Sequence, residues 1–245
     1  MTAPAAGLRL RPSPQDSRPG KARKGQKSAK AILLFGTRGF GRFCLKAAGG
    51  SHNKQKRMIF MGKKIIVLNG SPRRGGNTAA LVDRFLQGAK EAGHQVTRFD
   101  LRNMEIHPCL GCYGGGKDLN SPCVQKDAMD EIYPVYREAD VVIFASPMYF
   151  WTISGQLKCA LDRLFATAEG YPDYRVPCKE CALLMAAEGE EDDNFEPIIH
   201  YYQSLVKHLR WRDLGCVFAK GVAAVGDIQG NPALDQAKAL GAALK

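Results

Sequence analysis

Long apolar runs are missing from this 245-residue chain where an anchor or leader would need one. The one apolar stretch of its N-terminal region, Ala31 to Phe35, is too short to cross a bilayer or to form a usual signal core. Acids are almost absent from residues 1–60, where Asp16 stands against fourteen Lys or Arg. That balance of +13 leaves −2 for the remainder of a chain whose total is +11. The basic character therefore belongs to the extension, and net charge gives no argument for a specific nucleic-acid partner of the rest. The Pro, Gly, Ser, Lys and Arg content of the extension reads as disordered. Its acid-poor, Arg-rich composition resembles an organelle transit peptide, but Met58 and Met61 stand just before the first strand. The favoured reading is an upstream segment without function, followed by one α/β domain over 61–245 with no second domain.

The usual phosphate fingerprints are missing as well. After the apolar run Lys64–Leu68 comes NGSPRRGGNT, in which no lysine stands beside the hydroxyl residue as a Walker loop requires. Gly70 is followed by Ser71, Pro72, Arg73 and Arg74 before the next glycine, so the dinucleotide spacing G-x-G-x-x-G fails too. Without that fingerprint an acid at the end of the second strand, Asp100, has no ribose to grip, and it reads as a solvated loop residue. No His, Asp and Ser arrangement suggests nucleophilic hydrolysis.

What is present is a strand, a small-residue loop and a helix start. Ser71, Asn77 and Thr78 offer side-chain donors, Gly75 and Gly76 permit close backbone approach, and a helix N-terminus adds positive potential, so the loop suits an anion. A plain turn capping a helix is the competing reading. A second strand, DVVIFASP from Asp140 to Pro147, runs into MYFWTISGQLKCALDR, where Ser154 is placed to cap a helix carrying Leu157, Leu161, Leu164 and Phe165. The loop Met148, Tyr149, Phe150 and Trp151 is unusually apolar for a connection; it serves either as a wall for a flat ligand or as a surface covered by another subunit.

The rest alternates strands and helices. A helix buries Leu81, Val82, Phe85, Leu86 and Ala89, strand two covers about Gln95–Leu101, and a helix spans roughly Asp127–Glu138, which Pro134 in its interior should kink or shorten. Strand four covers Ala182–Ala187, an apolar stripe runs from Ile198 to Leu209, and strand five lies near Cys216–Val225. Asn231 and Pro232 open a last helix. In a doubly wound parallel sheet of order 2-1-3-4-5, the first and third strands are neighbours and the two loops meet outside their carboxyl ends. A phosphate loop beside an aromatic loop describes a site for FMN.

On GSPRRGGNT, SPMYFWTISGQLKCALDR and the closing GDIQGNPALDQAKALG, the chain from about Met61 onward resembles the NAD(P)H-dependent FMN reductase branch of the flavodoxin-like superfamily. The resemblance implies that Ser71, Arg73, Asn77 and Thr78 hold the FMN phosphate. It implies that Pro147, Met148, Tyr149, Phe150 and Trp151 line the flavin ring, and that Glu188 and Gly189 close the site. It further implies NAD(P)H as co-substrate, a flavin, quinone or similar small-molecule acceptor, and a homodimer or homotetramer. An electron carrier reduced by a partner protein and a non-catalytic flavin-binding protein are the alternatives.

Eight cysteines suggest no disulfide framework, which points to a reducing cytoplasm. Cys109, Cys112 and Cys123 cluster after strand two. The related iron-sulfur flavoproteins hold a [4Fe-4S] cluster with four cysteines in this loop, and here position 115 is Gly115. Three reduced thiols are the leading expectation; zinc with His107 as fourth ligand, or a damaged cluster, are the others. Cys159, Cys181 and Cys216 read as core.

Overall fold

The sequence KIIVLN sets the layers of the molecule. Successive strand residues point to opposite faces, and in Lys64–Asn69 (β1) Ile66 and Leu68 enter one apolar cluster while Ile65 and Val67 enter another, all of them buried. A strand apolar on both faces needs helices on both sides, which is the signature of a parallel sheet with crossover helices. The structure, a computed structural model, describes residues 62–245. The basic segment 1–60 and the expectations attached to it lie outside the described residues.

Along the chain come α1 (Asn77–Glu91), β2 (Gln95–Asp100), α2 (Met129–Glu138), β3 (Val141–Pro147), α3 (Gly155–Arg163), the single turn α4 (Phe165–Ala168), β4 (Glu180–Ala186), α5 (Glu196–Leu209), β5 (Arg212–Ala219) and α6 (Ala233–Ala242). All pairings are parallel in the order β2-β1-β3-β4-β5, the expected flavodoxin-like arrangement. Tyr133 of α2, Leu157 of α3 and Ile198 and Tyr202 of α5 cover the Ile66 face. Phe85 of α1 and Ala237 of α6 cover the other.

Several local signals act as the sequence indicates. Ser154 caps α3, its hydroxyl accepting from Leu157 N at 3.3 Å. Asn231 Oδ1 accepts from Ala233 N at 3.0 Å, with Pro232 at the cap of α6. Pro134, expected to kink or shorten α2, stands inside it while the helix runs on to Glu138. Strand five differs: it runs Arg212–Ala219, not Cys216–Val225. Gly221 has φ +68 and turns the chain away from the sheet, so the apolar residues beyond it, Val222 and Val225, belong to a loop. Phe165, expected on the helix capped by Ser154, lies beyond its end and is 42% exposed: α3 ends at Arg163, and the side chain meets Tyr113 and Tyr174. Cys181 is buried and Cys216 packs against the core, whereas Cys159 is only half-buried on the outer side of α3.

The contact between α1 and α6 rests on two glycines. A Cβ at Gly88 would meet Lys238 O at 2.0 Å, and one at Gly241 would meet Phe85 O at 2.3 Å, so the two backbones touch where neither residue carries a side chain. Gly88→Ala should therefore destabilise the protein despite the better helix propensity of alanine, by about 1–3 kcal/mol as the helices are forced apart. Urea unfolding checks this. An unchanged or raised midpoint would contradict the close approach.

Candidate functional site

The loop after β1 is fixed from three directions. Gly70 N continues the β1–β3 ladder by donating to Ala145 O at 2.8 Å. From α3, Ser154 Oγ donates to Gly70 O at 2.7 Å, and a Cβ at Gly70 would lie 2.5 Å from that oxygen, so the loop and the cap of α3 interlock only because residue 70 is glycine. From β2, Asp100 accepts from Asn69 Nδ2 at 2.6 Å and from Arg98 Nε at 2.8 Å, while Asn69 Oδ1 accepts from Ser71 N at 3.2 Å. Asp100 is thus not the solvated loop residue expected. Register places it opposite Asn69, and together they orient the start of the loop.

Ser71 and Thr78 are buried at the loop and at the first turn of α1. Gly75 has φ +62, which turns the chain into the helix, and the N-cap is Gly76, without a side chain to cap the first amides and with no acid in the first turn. That leaves an N-terminus whose amides and dipole are directed at whatever sits in the loop. Arg73 and Asn77 have further partners. Arg73 Nη1 donates to Ala223 O, Asn77 Nδ2 donates to Ala224 O at 2.8 Å, and Asn77 Oδ1 accepts from Gly226 N and Ile228 N at 3.3 and 3.4 Å. Both side chains hold the loop after β5 against the loop after β1. In that second loop Asp227 Oδ2 accepts from Ala223 N and Ala224 N.

The aromatic loop leaves β3 beside it. Met148 N donates to Ala186 O at 2.9 Å, and Tyr149 and Thr152 exchange backbone bonds of 3.0 and 3.1 Å around a two-residue turn. Its central residues, Phe150 and Trp151, have φ +47 and +60, a left-handed conformation that bulky side chains rarely accept and that costs of order 1–3 kcal/mol per residue. Trp151 Nε1 donates to Asn194 Oδ1 at 3.1 Å, which ties this turn to the segment after β4. A Cβ at Gly189 would meet Asn194 Nδ2 at 2.0 Å, so that glycine gives Asn194 its place. Pro147 and Met148 are half-buried, Phe150 is 93% exposed at the tip, and Glu188 is exposed beside the site. The arrangement is an amide-rich loop and an aromatic loop side by side at the carboxyl ends of adjacent strands.

The family model for NADPH-dependent FMN reductase matches residues 63–224, more than half of the chain. This chain belongs to the NADPH-dependent FMN reductase family. An iron-sulfur flavoprotein of Archaeoglobus fulgidus is 35% identical over 101 residues, which are 41% of this chain and 45% of that protein. The chain spans about half the length of the iron-sulfur flavoproteins it matches. The putative NAD(P)H-dependent FMN-containing oxidoreductase YwqN of Bacillus subtilis is 24% identical over 181 residues, covering 72% of this chain and 96% of that one. The solved NAD(P)H:quinone oxidoreductase from Methanothermobacter marburgensis shares the fold, with a TM-score of 0.60 at 20% identity over 74% of this chain and 96% of that one.

FMN suits the residues present. The uncapped start of α1, the glycines around it and the buried Ser71 and Thr78 hydroxyls match a phosphate, and the strained aromatic turn matches a flat ring. A [4Fe-4S] cluster does not fit. It requires four ligands, and position 115 holds a glycine whose Cβ would meet Glu169 Oε2 at 2.3 Å. Cys109 and Cys112 are exposed while Cys123 is buried. Among the described residues, no three His, Cys, Asp or Glu side chains are grouped to hold a metal. His107, the candidate fourth zinc ligand, has Nδ1 3.3 Å from Asp127 Oδ2.

What organises the cysteine loop is Arg163, whose role the sequence does not announce. Its buried guanidinium donates through Nε to Cys123 Sγ (3.2 Å), through Nη1 to His107 O (3.0 Å) and Asp127 Oδ2 (2.7 Å), and through Nη2 to Gln125 O (3.2 Å) and Asp127 Oδ1 (3.1 Å). Burial pushes the Asp127 carboxyl up, but bonds from Arg163 and from the His107 and Met129 amides outweigh it and hold the group at about 2. An acid depressed from its ordinary range near 3.9 contributes stability that is present above about pH 4 and lost as pH falls through about 2. The expected contribution is about 2.5 kcal/mol. Asp127→Asn should be at least about 3 kcal/mol less stable at neutral pH, since it leaves a buried guanidinium without its counter-charge. Its deficit in urea unfolding should shrink between pH 4 and pH 2. An equal deficit across that range would contradict the ion pair.

Proposed function

We propose that this protein is an FMN-dependent oxidoreductase that takes electrons from NAD(P)H and passes them to a flavin, quinone or similar small-molecule acceptor. The observation that carries the reading is the pairing of the loop after β1 with the aromatic loop after β3, within a chain of the FMN reductase family. Ser71, Thr78 and the first amides of α1 hold the phosphate, and Arg73 and Asn77 serve it by bracing the loop after β5 against that anion site. Pro147, Met148, Tyr149 and Trp151 line one face of the ring and exclude water, with Gly189 and Glu188 at its rim. FMN, when bound, supplies hydride acceptance from a nicotinamide and onward electron transfer. Hydride transfer itself requires no acid and base pair of the protein. Phe150, the most exposed residue of the aromatic turn, is given to a contact between subunits of a homodimer or homotetramer, in a cytoplasmic setting. Among the described residues no helix is long and apolar enough to cross a membrane.

Two experiments test this reading. Ser71→Ala or Thr78→Ala removes a donor to a charged phosphate, a loss of about 1.5–3 kcal/mol, or roughly tenfold or more in FMN affinity. Riboflavin, lacking the phosphate, should bind these variants as it binds the wild type, and equal weakening of both flavins would place the phosphate elsewhere. In the second, one ring face is covered by the aromatic loop, so nicotinamide and acceptor share the other and exclude each other. Initial-rate plots should be parallel, and anaerobic NAD(P)H should bleach the visible flavin band. Intersecting plots would contradict the shared face. Reduction by a partner protein alone would favour the electron carrier.

A further inference from the structure

A cavity of about 690 Å³, within the range of small-molecule sites, lies against the cysteine loop and the ends of α3 and α5. Its lining residues Val176 and Trp211 stand just ahead of β4 and β5 in an all-parallel sheet, so it sits at the amino ends of the strands. The candidate flavin site is at their carboxyl ends. None of the residues of the loops after β1 and β3 lines the cavity.

Two features of the lining point to the charge of an occupant. The first is aromatic: Tyr113, Phe165 and Tyr174 all line the cavity, all are exposed, and they touch one another. Tyr113 meets Phe165 edge-on with centroids 5.8 Å apart, and Phe165 lies nearly parallel to Tyr174 at 6.1 Å. Grouped exposed rings mark a binding surface, and the negative face of such a ring attracts a cation. Lys179 and Lys220 lie over Tyr136 and Phe195 in this way, but among the described residues no Lys or Arg lies over these three rings.

The second feature is a carboxylate left over. Of the charged side chains in the lining, Arg163 pairs with Asp127, Asp162 with Lys158 and Asp173 with Arg175, at 2.7, 2.6 and 3.7 Å, and His208 is exposed to solvent. Glu169 has no cationic partner among the described residues. Its Oε2 accepts from Gly115 N at 3.0 Å, a bond to a neutral amide that leaves the charge uncompensated. The residue is half-buried, where a counter-charge is screened less than on open surface. Glu169 keeps helical backbone angles at the end of α4 and stands four residues after Phe165, which brings the carboxylate and the ring to the same side. One carboxylate supplies too few oxygens for a calcium or magnesium ion. An alkylated ammonium needs no oxygen shell, and its alkyl groups suit aromatic faces.

We propose that this cavity binds a small organic cation, an alkylated ammonium with an apolar body, whose charge is balanced by Glu169 and whose N-alkyl groups lie against Tyr113, Phe165 and Tyr174. The site is separate from the flavin loops and does not rest on the reductase reading. The probe is phenyltrimethylammonium, and tert-butylbenzene, with carbon in place of the charged nitrogen, is its neutral counterpart of the same shape. Each is held dilute and titrated with the FMN-loaded full chain while its methyl proton signal is followed by NMR.

The cation's methyl signal should move upfield and saturably, because protons held over ring faces are shielded, and the cation should bind about tenfold more tightly than the hydrocarbon. Glu169→Gln keeps an oxygen for the Gly115 amide and removes the charge. It should weaken the cation about tenfold, leave the hydrocarbon unchanged and preserve the visible flavin spectrum. Phe165→Leu should shrink the upfield shift. Equal affinity of the two probes for the wild type would overturn the proposal without reference to any variant. Full affinity for the cation in Glu169→Gln would also overturn it, since the cation would then be bound elsewhere, as on the exposed aromatic turn after β3. So would a methyl signal that never saturates.

Discussion

One hydroxyl joins the two halves of the candidate site. The Ser154 hydroxyl caps α3 and donates to the carbonyl of Gly70, while the Ser154 backbone N–H donates to the Ser146 hydroxyl oxygen of β3 at 2.8 Å. The loop after β1, 84 residues away from Ser154, is thereby fixed at one buried point with the end of β3 and the start of α3. Because a side chain at residue 70 would collide with that oxygen, the serine and the glycine are one structural unit. The spacing between the loop after β1 and the loop after β3 is fixed at this junction. The sheet register alone would leave both loops free to hinge.

The fold was largely legible because the signals that specify it are local. Alternation of short β-branched strands with amphipathic helices carries the parallel sheet, and the serine cap of α3 and the Asn-Pro start of α6 are written in adjacent residues. The strand that sequence misplaces is β5. Its apolar run continues past Gly221 into a loop whose Val222 is buried by tertiary packing, and periodicity cannot separate a buried strand residue from a buried loop residue.

The site was legible in its elements and not in its wiring. That one loop carries hydroxyls and glycines and the other carries aromatics follows from composition. That the amide of Asn77 would be engaged by residues 224–228, that Asp100 would orient Asn69, and that Asn194 would tie down Trp151 are contacts between residues remote in sequence. They depend on register and loop path, which no local pattern encodes. The cysteine loop makes the same point in reverse. Its spacing draws attention to sulfur, while its conformation is dictated by Arg163, a residue at the end of a helix that looks like ordinary C-terminal charge complementarity.

The glycine contact between α1 and α6 gives the molecule a lever. A helix behaves as a stiff rod, and from Gly88, where α6 presses on it, to Asn77, where it meets the anion loop, α1 extends roughly 16 Å. The working end of that rod has no side-chain cap, so its position comes from the fulcrum at the far end together with the brace at Asn77. A small tilt at the fulcrum swings the amides at the tip by a comparable distance, across a bond whose strength depends steeply on alignment. Residues on the back of the molecule thereby acquire mechanical authority over where the uncapped amides point.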